Sequence, residues 1–179
     1  MKWILTWGYL VAVSPVLLAQ SYVSERSDIH FFSKTPLEDI DAINTQSASL
    51  FNATTGEIAF AIPVAAFVFA KSLMQEHFNE SYLETEKYPR ATFKGLVKGF
   101  EHKDGVQRVR AVGELYIHGV TRPATVEGTL ERKANTLLLV ASFPVKLEDY
   151  RVKVPRVVFY NVAETVEVKI NMLYRPHAK

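Results

Sequence analysis

Residues 166–172 read Val-Glu-Val-Lys-Ile-Asn-Met, with an apolar side chain at every second position. Such alternation is typical of a β-strand that turns one face to a core and the other to solvent. Further strands are indicated at 57–62, 93–100, 106–117, 124–131 and 137–146. The region from Ser27 to Leu50 is expected to add two strands, so the chain is predicted to be all-β.

Short polar sequences separate these strands: His-Lys-Asp-Gly at 102–105, His-Gly-Val-Thr at 118–121 and Lys-Ala-Asn-Thr at 133–136. Gly, Asn and Asp in such positions favour tight hairpin turns. Because strands joined by short turns lie antiparallel, about eight of them form either a sandwich or a closed up-and-down barrel.

Small residues on the predicted inward faces favour the barrel. They are Gly95, Gly99, Ala111, Gly113, Ala124, Gly128 and Ala141. They either leave room for a ligand-sized cavity or mark bends where the sheet coils, and both interpretations stay open at this point.

The stretch 72–86 departs from the strand pattern. Its apolar residues Met74, Phe78 and Tyr82 are spaced four apart, as on one face of a helix. Ser72, with a glutamine three residues later, matches a capping box. We therefore predict one amphipathic helix inserted in the chain.

Residues 1–19 are predicted to be a secretory signal peptide that is cleaved. Lys2 precedes an apolar run, and the small residue Ala19 precedes the expected cut. The alternative is an uncleaved membrane anchor, but the run is shorter than the roughly 20 apolar residues of a spanning helix and contains Pro15. Residues 20–179 are then expected to form one domain.

Composition and motifs exclude several classes of function. The chain has no cysteine, so it has no disulfide, thiol nucleophile or thiolate metal site. Its 21 Lys and Arg and 19 Asp and Glu are scattered, so nucleic acid is not an expected partner. There is no serine-hydrolase elbow, zinc-protease motif or phosphate loop. His77 and Glu80 leave open a metal-dependent or hydrolytic enzyme on the 72–86 helix, although solvated charges explain them more simply.

Three blocks of sequence resemble the YceI-like family: EHFNESYLETEKYPRATFKG at 76–95, GELYIHGVTRP at 113–123 and TPLEDI at 35–40. The resemblance covers essentially the whole mature chain in one consistent order. It implies a secreted or periplasmic protein with a lipocalin-like antiparallel barrel and a helix near the mouth. It also implies a polyisoprenoid or similar long amphiphilic lipid bound inside the barrel.

We therefore expect a non-enzymatic carrier or sequestering protein for an isoprenoid-like or other long-chain amphiphilic lipid, with no cofactor and no metal. A homodimer and transient contact with a membrane stay open. The alternative from another class is an envelope interaction or structural module whose barrel is filled by side chains.

Candidate ligand-binding residues follow from the apolar faces and the blocks. The expected apolar wall consists of Phe60, Ile62, Phe67, Phe69, Phe93, Leu115, Val126, Phe143 and Val168. The expected mouth residues are Leu73, Met74, Phe78 and Tyr82. His77, His118 and Arg122 are candidates for a polar head group, because such a ligand needs a few placed donors at one end. For the histidines, a turn or a brace on the helix is the alternative.

Cleavage of the signal peptide has a spectroscopic consequence. Trp3 and Trp7 are the only tryptophans of the chain, and both lie in residues 1–19. Mature protein purified from its host should therefore show tyrosine fluorescence alone. A strong tryptophan emission band from that protein would rule out cleavage at this place.

Overall fold

The structure, a computed structural model, describes residues 20–34, 39–153 and 163–177. The predicted signal peptide lies outside the described residues, as do residues 35–38 of the shortest sequence block. None of the helices in the described ranges is long and apolar enough to cross a membrane.

Strands dominate the described chain. They are β1 (Ser21–Ser33), β2 (Ile40–Asn44), β3 (Ala48–Asn52), β4 (Glu57–Pro63), β5 (Val68–Phe69), β6 (Arg90–Lys98), β7 (Gly105–Ile117), β8 (Val120–Lys133), β9 (Thr136–Lys146) and β10 (Thr165–Pro176). The helix α1 (Ser72–His77) continues into one π-helical turn, Phe78–Tyr82. Short 3₁₀ turns lie at Val64–Ala66 and Leu147–Tyr150.

Eight strands close into an antiparallel barrel in the ring order β1-β3-β4-β6-β7-β8-β9-β10. The ladder from Tyr22–Pro176 to Phe32–Glu167 joins β10 back to β1 and closes the ring. Closure leaves the ring without a free edge. The predicted fold class, an all-β up-and-down barrel of about eight strands with one helix, is confirmed.

One side of the barrel carries an addition that we call the flap: β2, β5, α1 and the π-turn. β1 pairs with β3 over Ser21–Val23 but with β2 over Ile29–Ser33. Among the described strands, β5 pairs only with β2. We call the end of the barrel beside the flap the upper end. The sequence predicted two strands between Ser27 and Leu50, whereas the structure has three, because β2 and β3 share the edge of β1.

The helix is shorter than the predicted span 72–86, because the α-helical hydrogen bonds give way to the π-turn and the helical stretch ends at Tyr82. The capping box is also absent: Lys71 is the N-cap, and no side-chain bond caps the first turn. Gln75 instead accepts a hydrogen bond from the Phe69 amide at 3.2 Å and donates one to the Phe67 carbonyl at 2.7 Å. The glutamine thus fastens the helix to β5.

Side chains fill the lower half of the barrel. Its most deeply buried members are Tyr22, Phe51, Leu130, Leu137, Met172 and Tyr174. Tyr174 donates to the Ser49 hydroxyl at 2.7 Å, because that hydroxyl already donates to the Ala59 carbonyl at 2.8 Å. Burial raises the pKa of Tyr174, so its hydroxyl keeps its proton. This packed half holds the strands in register.

Gly95 and Gly113 face each other across β6 and β7. A Cβ atom at Gly113 would lie 2.1 Å from the Lys94 carbonyl oxygen and 2.5 Å from the Gly95 Cα atom. These contacts are with backbone, so no side chain can move aside. At this pair, the close approach of the two backbones explains the glycines.

Gly113→Ala should therefore lower the free energy of unfolding by about 3 kcal/mol, at the upper end of the cost of overpacking. Urea unfolding followed by circular dichroism measures the change. Thr125→Ala, at an exposed position of β8, is the control and should change stability by less than about 0.5 kcal/mol. Equal effects of the two substitutions would contradict the close approach of the strands.

Candidate functional site

The upper half of the barrel is hollow. A chamber of about 140 Å³ lies there, bounded by inward side chains of the barrel strands and, at the top, by the flap and the Leu147–Tyr150 turn. Among its described wall residues, Tyr150 alone carries a polar side-chain atom. We call this space the main chamber. Such a wall offers burial to an apolar group and no partner to a charged one.

The structure places eight of the nine predicted wall residues around the main chamber: Phe60, Ile62, Phe67, Phe93, Leu115, Val126, Phe143 and Val168. The ninth, Phe69, lines a smaller neighbouring space. Sequence reasoning missed Ile29 and Phe31 of β1, although their spacing two apart was a usable signal.

Small residues keep the main chamber open. Ala91, Ala111 and Ala141 come from three different strands and all belong to its wall. Larger side chains at these positions would project into the space, so the interpretation of small residues as room for a cavity agrees with the placement of Ala111 and Ala141. Gly128 is also in the wall, but a Cβ atom there would lie 2.6 Å from the Val140 carbonyl oxygen, so the close approach of β8 and β9 explains this glycine.

A second space of about 20 Å³, the side chamber, lies beneath the flap. Three predicted mouth residues, Met74, Phe78 and Tyr82, line it, and all three are buried. These three residues therefore lie on one face, as their spacing of four predicts, despite the π-turn. The fourth, Leu73, lines neither chamber and points outward with 49% of its surface exposed.

His118 occupies the turn between β7 and β8 at the upper end. Its Nδ1 atom lies 3.1 Å from the Tyr150 carbonyl oxygen, and its Nε2 atom lies 2.7 Å from Oε2 of Glu84. The Tyr88 ring packs edge-on against the imidazole at 4.6 Å between centroids. One side chain thus joins the hairpin, the segment after the helix and the 3₁₀ turn above the main chamber.

Arg122 also connects β8 to the 3₁₀ turn Leu147–Tyr150. Its Nε atom donates to the Asp149 carbonyl at 3.1 Å, while about half of the side chain stays exposed. His77 is half-buried on α1. None of the three predicted polar residues belongs to the described wall of either chamber. A role of these residues at a head group stays a prediction.

Three residues with strained backbone lie next to these hydrogen bonds at the upper end. Glu84, His118 and Arg151 have φ angles of 43°, 48° and 56°, in the left-handed region that non-glycine residues rarely adopt. Each such residue costs about 1 kcal/mol or more and persists where surrounding contacts hold it. The hydrogen bonds of His118 to Glu84 and Tyr150 supply such contacts.

One tyrosine lines each chamber, Tyr150 the main chamber and Tyr82 the side chamber. Burial raises the pKa of Tyr82 and of Tyr150, and Asp149 adds to the rise at Tyr150 while Arg122 opposes it. Both hydroxyls therefore stay protonated and neutral at physiological pH. No group of three or more His, Asp or Glu side chains in the described part of the chain could hold a metal ion.

Removing the imidazole should loosen the upper end. His118→Asn keeps a residue that tolerates the left-handed backbone, but its shorter side chain reaches at most one of the two partners. We expect a loss of about 2 kcal/mol in stability and faster hydrogen exchange at the Val152 amide, which bonds the Leu147 carbonyl. His77→Asn is the control, since His77 is on α1 rather than at this junction. An unchanged exchange rate in His118→Asn would contradict the bracing role.

Comparison with solved structures finds the same fold in three proteins. A polyisoprenoid binding domain from Saccharophagus degradans, implicated in plant cell wall breakdown, has a TM-score of 0.76 at 17% identity, over 88% of this chain and 99% of that chain. BcnA of Burkholderia cenocepacia has a TM-score of 0.70 at 19% identity, over 82% and 95%. The Campylobacter jejuni YceI protein has a TM-score of 0.64 at 12% identity, over 82% and 90%.

At these identities the structural likeness establishes the fold. Among curated protein sequences none matches this chain. The family model of the YceI-like domain matches residues 23–173, which is most of the sequence and nearly the whole described barrel. The chain therefore belongs to the YceI-like family.

Proposed function

We propose that this protein binds the hydrocarbon part of an isoprenoid-like or other long-chain amphiphilic lipid in the main chamber, without catalysis, as a carrier or a store. The observation that carries the proposal is an apolar chamber inside a closed barrel, with a single polar side chain in its described wall. A space with such a lining binds an apolar occupant most favourably.

The size of the main chamber and the free energy of burying carbon atoms both suit an apolar group. An engineered apolar cavity of about 150 Å³ binds benzene, and the main chamber has about 140 Å³. It therefore takes a group of about six carbon atoms, which is close to one isoprene unit. Burying each carbon contributes about 0.8 kcal/mol, before the costs of association are subtracted. A polar group brought into the same space would lose its hydrogen bonds to water.

The polar end of the lipid would stay at the upper end, outside the chambers. Arg122 is the candidate cation for an anionic head group, because about half of its side chain is exposed beside the Leu147–Tyr150 turn. The head group would compete with Asp149, whose Oδ1 atom lies 3.8 Å from the Arg122 guanidinium. His118 would act by holding the turn, since both of its ring nitrogens already have partners. These assignments rest on placement in the fold.

Secretion to the periplasm or beyond is part of the proposal. A lipid with a long apolar chain is poorly soluble, so an aqueous compartment between membranes is where a binding protein would be useful. Transient contact with a membrane would then load or unload the barrel. The predicted signal peptide at residues 1–19 and the relation to the YceI-like family support this location. A chamber that side chains do not fill favours lipid binding over a purely structural module with a filled barrel.

Filling the main chamber should abolish binding. Ala141→Phe places a ring in the chamber, whereas Val140→Phe places the same ring on the exposed face of β9. We expect wild type and Val140→Phe to bind farnesol with equal affinity and Ala141→Phe to bind it at least about tenfold more weakly. Titration calorimetry on delipidated protein measures the affinities, and thermal unfolding checks that each variant is folded.

Native mass spectrometry of protein taken directly from its host provides a second test of lipid binding. The proposal expects a bound lipid that organic extraction removes. It is contradicted if the native protein carries no lipid and the delipidated protein binds no amphiphile. Equal loss of farnesol binding in the two β9 variants would also count against the chamber as the site.

A further inference from the structure

The main chamber alone is too small for a long chain. Ligand pockets usually measure about 300–1,000 Å³, whereas this chamber has about 140 Å³. It takes about one isoprene unit, and a second unit next to the polar end can stay at the upper end, so a chain of three or more units needs additional space. The side chamber beneath the flap adjoins the main chamber and is the nearest such space. It measures only about 20 Å³ in this structure, so the flap must shift outward to admit a further unit.

The two chambers share a wall formed by Phe31, Phe78, Leu83, Leu147 and Val152. Phe78 stands at the centre of this partition. Its ring centroid lies 5.8 Å from that of Phe67, which lines only the main chamber, and 4.8 Å from that of Phe69, which lines only the side chamber. A movement of the Phe78 ring would therefore join the two spaces.

Phe78 belongs to the flap, whose outer strand β5 is attached by a short ladder. β5 has two residues, paired only with Ala42 and Ile43 of β2 among the described strands. Phe78 is also the residue at which α-helical bonding changes to the π-turn, a geometry often found at functional sites. Few ladder bonds must break for the flap to shift, so local opening costs less here than in the ring of eight strands.

We infer that Phe78 is a gate between the two chambers, and that a chain of three or more isoprene units binds with the Phe78 ring displaced and the flap shifted outward, and occupies both spaces. This inference rests on the proposed function. Among the described wall residues, Tyr82 is the one polar side chain of the side chamber, and burial keeps it neutral. The occupant of both chambers is therefore an uncharged hydrocarbon chain.

Blocking the side chamber tests the inference. Ile40 of β2 is buried in its wall, whereas Ile43 of the same strand faces outward. Ile40→Phe and Ile43→Phe thus add the same ring on opposite faces of one strand. The ligands are geraniol, farnesol and geranylgeraniol, titrated into delipidated protein, with thermal unfolding as the check on folding.

In wild type and Ile43→Phe, affinity should increase from geraniol to farnesol, by about fourfold for each further buried carbon. In Ile40→Phe, affinity for farnesol should fall by at least about tenfold, while affinity for geraniol changes by less than about twofold. The same chain-length profile in Ile40→Phe and Ile43→Phe would overturn the inference and leave lipid binding intact. Absence of binding to all three alcohols in wild type would instead overturn the proposed function.

Phe78→Ala provides a second variant, in case Ile40→Phe does not fold. Without the ring, the chambers are continuous, so farnesol should associate at least about threefold faster than with wild type, while geraniol shows no such difference. Stopped-flow displacement of an apolar dye measures both rates. Equal association rates for farnesol in wild type and Phe78→Ala would show that the ring is no gate.

Discussion

The ladder between β1 and β10 is the contact on which the rest of the molecule depends. Without it the eight strands would form an open sheet, and their inward residues would pack against a second layer rather than surround a space. Closure alone does not make a chamber, because small barrels usually fill with side chains. Here the filling is uneven: large rings such as Tyr22, Phe51 and Tyr174 occupy the lower half, and Ala91, Ala111 and Ala141 leave the upper half hollow.

The two halves of the barrel have different roles, the lower half in stability and the upper half in forming the chamber. The lower half provides the buried contacts and the Tyr174–Ser49 hydrogen bond that hold the strands together. The upper half keeps a volume that side chains do not fill. Such a cavity lowers the stability of the fold, and the buried contacts of the lower half offset this loss. Strained backbone at His118 and Glu84 lies at this same upper end, where hydrogen bonds hold the turns above the chamber. Loosening of these turns would therefore change access to the chamber before it changes the barrel.

The sequence was sufficient for the barrel and for eight of the chamber's wall residues, because the strands and most of these residues follow from alternation. Phe60 and Ile62, or Val166 and Val168, share a face whatever the partner strand is. It was not sufficient for β5 or the 3₁₀ turns, since segments of two to four residues are too short to show a periodic pattern. The helix end was misplaced because the π-turn changes the hydrogen-bond register without changing the spacing of Phe78 and Tyr82. The partners of His118 are 32 and 34 residues away, so only the folded chain brings them together.

The central claim is that the upper half of the barrel encloses an apolar space and the lower half does not. A crystal of delipidated protein under xenon pressure tests it directly, because xenon enters dry apolar cavities. We predict anomalous scattering from xenon between Phe93, Leu115 and Val166, and none among Tyr22, Leu137 and Tyr174. An upper half that takes up no xenon, with side chains packed across it, would contradict the account.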